Sequence, residues 1–65
     1  NNIKPGVGES TRALLRRGSD RLILKDPFAN DVQHLVRLAD EKNVTIERDA
    51  ALPYRAAVII NSLGE

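Results

Sequence analysis

Phe28, Val32, Leu35 and Ala39 follow one another at spacings of four, three and four. That rhythm restricts the chain more than any other feature, because it is the period of one face of an α-helix. Val36 widens the stripe, while Asn30, Asp31, Gln33, Arg37, Asp40 and Glu41 fall on the other side. Asp26-Pro27 predicts the start, with the aspartate as cap and the proline at the first helical position. Asn43 predicts the stop. Ahead of this helix, Arg21-Leu-Ile-Leu-Lys25 is too short to be helical and reads as a strand buried on both faces. Behind it, Val44-Thr-Ile-Glu-Arg48 alternates apolar and polar residues, which predicts a strand with one wetter face. Strand, helix and strand of this length make a βαβ unit with parallel strands and a right-handed crossover.

The flanks complete the layer. Tyr54 to Asn61, centred on Ala-Ala-Val-Ile-Ile, predicts a third and central strand, reached through the connection Asp49 to Pro53. A first helix is expected from about Gly8 to Arg17, with Val7, Thr11, Leu14 and Leu15 as its inner stripe. Glu9 suits the positive end of that helix, and Arg16 and Arg17 suit the negative end. Gly18 is placed to follow the C-terminus. Asn1 to Val7, with its Pro5-Gly6 turn signal, reads as a flexible arm. The expected fold class is α/β: a small three-stranded sheet, made of the βαβ unit plus a third strand, packed by two helices. Residues 1–65 are read as a single small domain.

A chain of 65 residues buries only about 60% of the surface it exposes when unfolded, so its stability is expected to be marginal. Phe28 and Tyr54 are its only aromatics, which leaves Val, Ile, Leu and Ala to build the core, with Phe28 read as core too. There is no cysteine and a single histidine, so neither a disulfide framework nor a metal site is expected. The longest apolar run, Ala56 to Ile60, falls far short of the ~20 residues of a membrane helix. No signal-peptide pattern opens the chain. The reading is therefore a cytoplasmic protein with no membrane partner and no cofactor.

The net charge of +1 hides an uneven distribution. Residues 1–25 carry six cations against two carboxylates, and residues 26–65 carry four against seven. A basic half beside an acidic half suits one polyanion-facing surface. The basic half holds the segment Lys4-Pro-Gly-Val-Gly-Glu-Ser-Thr-Arg-Ala-Leu-Leu-Arg-Arg-Gly18. A glycine-bearing loop that opens a helix presents free backbone N–H groups to an anion, and Lys4, Arg12, Arg16 and Arg17 add positive charge beside it. Other constellations carry less. Gly6-Val-Gly8 lacks the Gly-Lys-Ser/Thr of a nucleotide-hydrolysing loop. His34, with Asp31 and Arg37 one turn away, has no nucleophile beside it and reads as a solvated helix histidine. Ser10 and Thr11 read as helix-start hydroxyls. Tyr54 beside Arg55 leaves two readings, a stack-and-clamp on a base and its backbone or an aromatic covering the core at a strand start.

Lys4, Gly6, Glu9, Thr11, Arg12, Leu14, Arg17 and Gly18 together resemble a motif of the kink-turn RNA-binding ribosomal proteins, the ribosomal L-seven-Ae and L-thirty-e superfamily. Leu38-Ala-Asp-Glu-Lys-Asn-Val44 echoes a second stretch of that family. The resemblance implies a reduced form of the family's α-β-α sandwich. It also implies that Gly6, Glu9 and Arg12 lie where a helix N-terminus meets sheared purine pairs of a bent RNA. Gly8 stands in place of the family's asparagine. The family's loop and helix between the last two strands have no counterpart in Asp49 to Pro53.

The expected function is a small RNA-binding module without catalytic residues, associated with ribosomes or ribonucleoproteins. Its expected RNA-binding residues are Lys4, Gly6, Gly8, Glu9, Arg12, Arg16, Arg17, Tyr54 and Arg55. Its expected partners are structured, kink-turn-like RNA and either a second copy or a ribonucleoprotein component. The alternative is a protein–protein interaction or oligomerisation module that uses open sheet edges. A third reading makes the same fold the recognition piece of a larger RNA-modifying enzyme.

Overall fold

The computed structural model describes residues 2–16 and 19–60. Its elements, in chain order, are β1 (Asn2–Pro5), α1 (Val7–Leu15), β2 (Ser19–Leu24), a 3-10 turn (Asn30–Val32), α2 (Gln33–Glu41), β3 (Thr45–Arg48) and β4 (Ala56–Ile60). The described strands form one sheet in the order β1-β4-β2-β3. β4 runs antiparallel to both of its neighbours, and β2 runs parallel to β3, with Leu22 level with Ile46. The α/β class and the central position of β4 match the sequence reading. The strand count does not, because the expected arm forms β1.

That correction has a physical source. Four residues ahead of Pro5-Gly6 are too few to show a period of two, so nothing local marks them as a strand. They become one by pairing with β4, Ile3 against Ile59 and Lys4 against Val58. Gly6 then turns the chain at φ 93°, a conformation open to glycine, and its N–H donates to the Ala56 carbonyl at 2.7 Å.

β1, β2 and β3 point the same way, and both crossovers advance in the same direction across the sheet. A shared right hand puts both helices on one face. The core accordingly lies between that face and the helices. Leu22, Leu24, Ala56, Val58 and Ile60 meet Ala13 and Leu14 of α1 and Val32, Leu35 and Ala39 of the α2 segment. Each fully buried leucine contributes about 1.5–3 kcal/mol.

The helices depart from expectation at their edges. α1 turns Ser10, Ala13 and Leu14 inward, while Leu15 is 60% exposed. Ala13 and Leu14 stand three and four residues after Ser10, so the inner face is centred between them, and Leu15, about 100° beyond Leu14, falls outside it. Small Ser10 and Ala13 let the backbone sit close over the sheet.

The start of α2 is also later than the Asp26-Pro27 signal predicts. Asp26 Oδ1 accepts from the Phe28 N–H at 3.0 Å, and the Asp26 carbonyl accepts from Ala29. Gln33 Nε2 donates to the Pro27 and Ala29 carbonyls, which closes this turn. Asp26 thus caps a turn and not the helix. Phe28, read as core, lies outside the helix where its spacing to Val32 has no meaning, and it is 84% exposed.

The far end of α2 follows the sequence. Asn43 adopts φ 58°, the Val44 N–H donates to the Ala39 carbonyl and the Asn43 N–H to Asp40, a Schellman arrangement. β3, expected to have one drier face, is exposed along all four residues because it is an edge.

Candidate nucleic-acid interface

The β1–β4 register decides where Lys4 goes. Residues opposite one another on paired strands share a face, so Lys4, opposite Val58, lies on the helix-covered side of the sheet, at its edge. There it runs along the flank of α1. Glu9, Arg12 and Arg16 succeed one another at steps of three and four, one flank of the helix. These four side chains, with Ala13 and Ile60, line a hollow of about 210 Å³. It holds three cations against one carboxylate. Glu9 and Arg12 are 3.8 Å apart and both exposed, a pair that constrains the guanidinium weakly. Among the described residues, neither Lys4 nor Arg16 has a carboxylate within ion-pair distance.

The helix start adjoins this hollow. The first intrahelical bond runs from the Ser10 N–H to the Gly6 carbonyl at 2.9 Å, and no side chain caps Gly6. A helix leaves its first N–H groups without intrahelical acceptors, here those of Val7, Gly8 and Glu9. Apart from its chain neighbours and the backbone of its own helix, nothing lies within 4 Å of where a Cβ on Gly8 would stand. Internal packing therefore does not require glycine there.

Hydrogen bonds hold α1 in place. The buried Ser10 hydroxyl points at the Lys4 carbonyl at 3.5 Å, and the Ser19 hydroxyl donates to the Ala13 carbonyl at 2.7 Å. Thr11 Oγ1 donates to the Val7 carbonyl and lies 2.9 Å from His34 Nε2. With the hydroxyl proton committed to Val7, the imidazole must be the donor through Nε2–H. His34 is thus a link between the helices and not simply solvated. Only the tertiary fold brings residue 34 to residue 11.

Arg55 lies in a second hollow of about 300 Å³, lined by Lys25, Asp26, Ala29, Asp31, Val32 and Arg55. Its guanidinium donates to Asp31 Oδ2 at 2.7 Å. Cations and carboxylates are equal in number here. Tyr54, next to it in sequence, is 43% exposed, so it does not serve as a core cover. The expected set thus separates. Lys4, Glu9, Arg12 and Arg16 converge, Gly6 and Gly8 adjoin them, and Arg55 belongs to another hollow. Arg17 lies outside the described residues, as does Gly18. The Asp31–Arg55 pair was not foreseen, since its members are distant in sequence and each has nearer partners of opposite charge.

Among the described residues there is no cluster of potential metal ligands and no helix long and apolar enough to cross a membrane.

The family model described as the PELOTA RNA binding domain matches residues 1–62. The chain belongs to the PELOTA RNA-binding domain family. A general RNA-binding role follows from that membership, with RNA as the partner. The match is to this family and not to the kink-turn ribosomal superfamily that the Lys4–Gly18 motif resembles. A curated relative, the cysteine protease StiP of Acinetobacter baylyi, is 38% identical over 68 aligned residues, which take in the whole of this chain and 18% of the relative. The expectation that the chain is not an enzyme is overturned by this relative, whose name is that of a cysteine protease. No solved structure matches the chain.

Proposed function

We propose that this PELOTA-family segment binds structured RNA along the flank of α1, with Lys4, Arg12 and Arg16 contacting phosphates and the α1 N-terminus receiving one more. The observation that carries this reading is the α1 hollow, where three cations meet a single carboxylate. Phosphate recognition needs cations that are not already neutralised, and this hollow offers them beside free backbone N–H groups. Glu9, at the same helix start, accepts from base amino groups. The absence of a Cβ at Gly8 lets the RNA backbone approach the helix closely. Kink-turn-like RNA and association with a ribonucleoprotein belong to this proposal.

The protease-named relative extends it. The chain spans 18% of that relative, and it contains no cysteine. In a longer protein of that kind, we assign this segment the task of holding RNA, with any thiol chemistry supplied by residues outside these 65.

A mobility shift on bent and on straight RNA at two salt concentrations tests the reading. Binding is expected to favour the bent RNA and to weaken steeply with salt, by about one unit of log–log slope for each phosphate contact. Equal, undetectable binding to both would sink it.

A further inference from the structure

Among the described arginines of the expected RNA-binding set, Arg55 is the most closely held, its guanidinium 2.7 Å from Asp31 Oδ2. The carboxylate comes to it ready placed. Asp31 is the middle residue of the 3-10 turn Asn30–Val32, which Val32 anchors in the core. Just beyond the turn, Gln33 Nε2 donates to the Pro27 and Ala29 carbonyls at 2.9 and 3.0 Å. Forming the pair therefore orders the arginine side chain far more than the aspartate. The other carboxylate of this hollow, Asp26, is engaged by the Phe28 N–H at 3.0 Å.

The place of Arg55 gives this pair a consequence for RNA. The Gly6 N–H donates to the Ala56 carbonyl at 2.7 Å, and the Lys25 N–H to the Arg55 carbonyl at 3.2 Å. The start of α1, residues 55 and 56 and the end of β2 therefore lie side by side at one end of the sheet. Strands stand about 4.8 Å apart and consecutive Cα atoms about 3.8 Å, so the Arg55 backbone is within roughly 9 Å of Gly6. That is about one Debye length at 0.1 M salt. An RNA seated on the α1 flank thus runs up to Arg55 and Asp31 together. We propose that Asp31 sets the limit of the RNA site: by holding Arg55, its carboxylate keeps the phosphate track on the α1 flank and off the Lys25–Arg55 hollow. An opposing charge of this kind shapes specificity as attraction does. The proposal rests on the α1 reading above. The two side chains are 73% and 43% exposed, so releasing Arg55 changes affinity by a few-fold and not by orders of magnitude.

Fluorescence anisotropy on one bent RNA, across a series of salt concentrations, tests this, with a thermal melt of each variant to check its fold. Asp31→Asn keeps the shape of the turn and removes the charge. It is expected to bind about three-fold more tightly, with a log–log salt slope steeper by about one, the mark of one more phosphate contact. Asp31→Ser, a second neutral variant, is expected to give the same gain. Asp31→Glu keeps the charge and is expected to bind like the unaltered chain. In an Arg55→Ala background, Asp31→Asn is expected to change neither affinity nor slope, because the two residues act as one pair. Asp40→Asn, in the last turn of α2, is expected to gain less than about 1.5-fold. Unchanged affinity and slope in both neutral variants overturn the proposal. So does a gain that persists without Arg55, or one that Asp40→Asn reproduces, since either makes Asp31 a general charge and not the restraint on Arg55. RNA binding that ignores Asp31 removes this proposal and leaves the α1 reading standing, whereas no binding by any variant removes both.

Discussion

The two hollows use the same kinds of side chain with opposite results. Beside α1, Lys4, Arg12 and Arg16 share a hollow with one exposed carboxylate, that of Glu9, which lies 3.8 Å from Arg12. At the β2–α2 end, Lys25 and Arg55 share their hollow with Asp26 and Asp31, and Arg55 is held at 2.7 Å. The number of arginines in a stretch of sequence therefore does not measure the positive charge available to a polyanion. Availability depends on which carboxylates the fold brings within reach.

The largest expected effect asks whether the α1 hollow depends on how its helix is seated. Leu14→Ala is expected to destabilise the protein by about 2–5 kcal/mol, and Leu15→Ala, one residue on, by less than about 0.5 kcal/mol. Chemical denaturation measures both. Equal losses would mean that α1 is rotated from its position here.

The comparison itself is broken or kept by charge removal. Lys4→Ala, Arg12→Ala and Arg16→Ala combined are expected to lower RNA affinity by about 100-fold at low salt, and to reduce the salt slope by up to about three. Lys25→Ala with Arg55→Ala is expected to cost less than about five-fold, because Asp31 already competes for the guanidinium. Similar losses from both sets, read by fluorescence anisotropy, would show that the Asp31 pair yields to RNA.

Gly8 separates stability from binding. Gly8→Ala meets open space, so it is expected to stabilise the fold by up to about 1 kcal/mol through helix propensity while weakening RNA binding. Unchanged affinity would remove close backbone approach from the proposed interface. The smallest effect belongs to Phe28→Ser, expected to move stability by less than about 0.5 kcal/mol, since the ring is 84% exposed. A larger loss in a thermal melt would return that ring to the core, as its sequence spacing suggests.

Much of this was legible beforehand wherever the signal was local. The Val32, Leu35, Ala39 stripe, the Asn43 stop, the β2 and β3 runs and the central β4 each carry their period or breaker within a few residues. So does the basic segment that supplies Lys4, Arg12 and Arg16. Phe28 misled because a capped turn intervened between it and the helix whose period it extends. β1 escaped notice because its hydrogen-bond partners lie more than fifty residues away, at Ala57 to Ile60.

By itself the sequence determined the two helices and three of the four described strands, and that the cations are concentrated in the first 25 residues. Those follow from apolar periodicity and composition, which act over one or two turns of chain. Only the tertiary structure decided which cations remain available and that both helices share one face of the sheet. Each of these depends on strand order and register, and so on residues that meet in space after long separation in the chain.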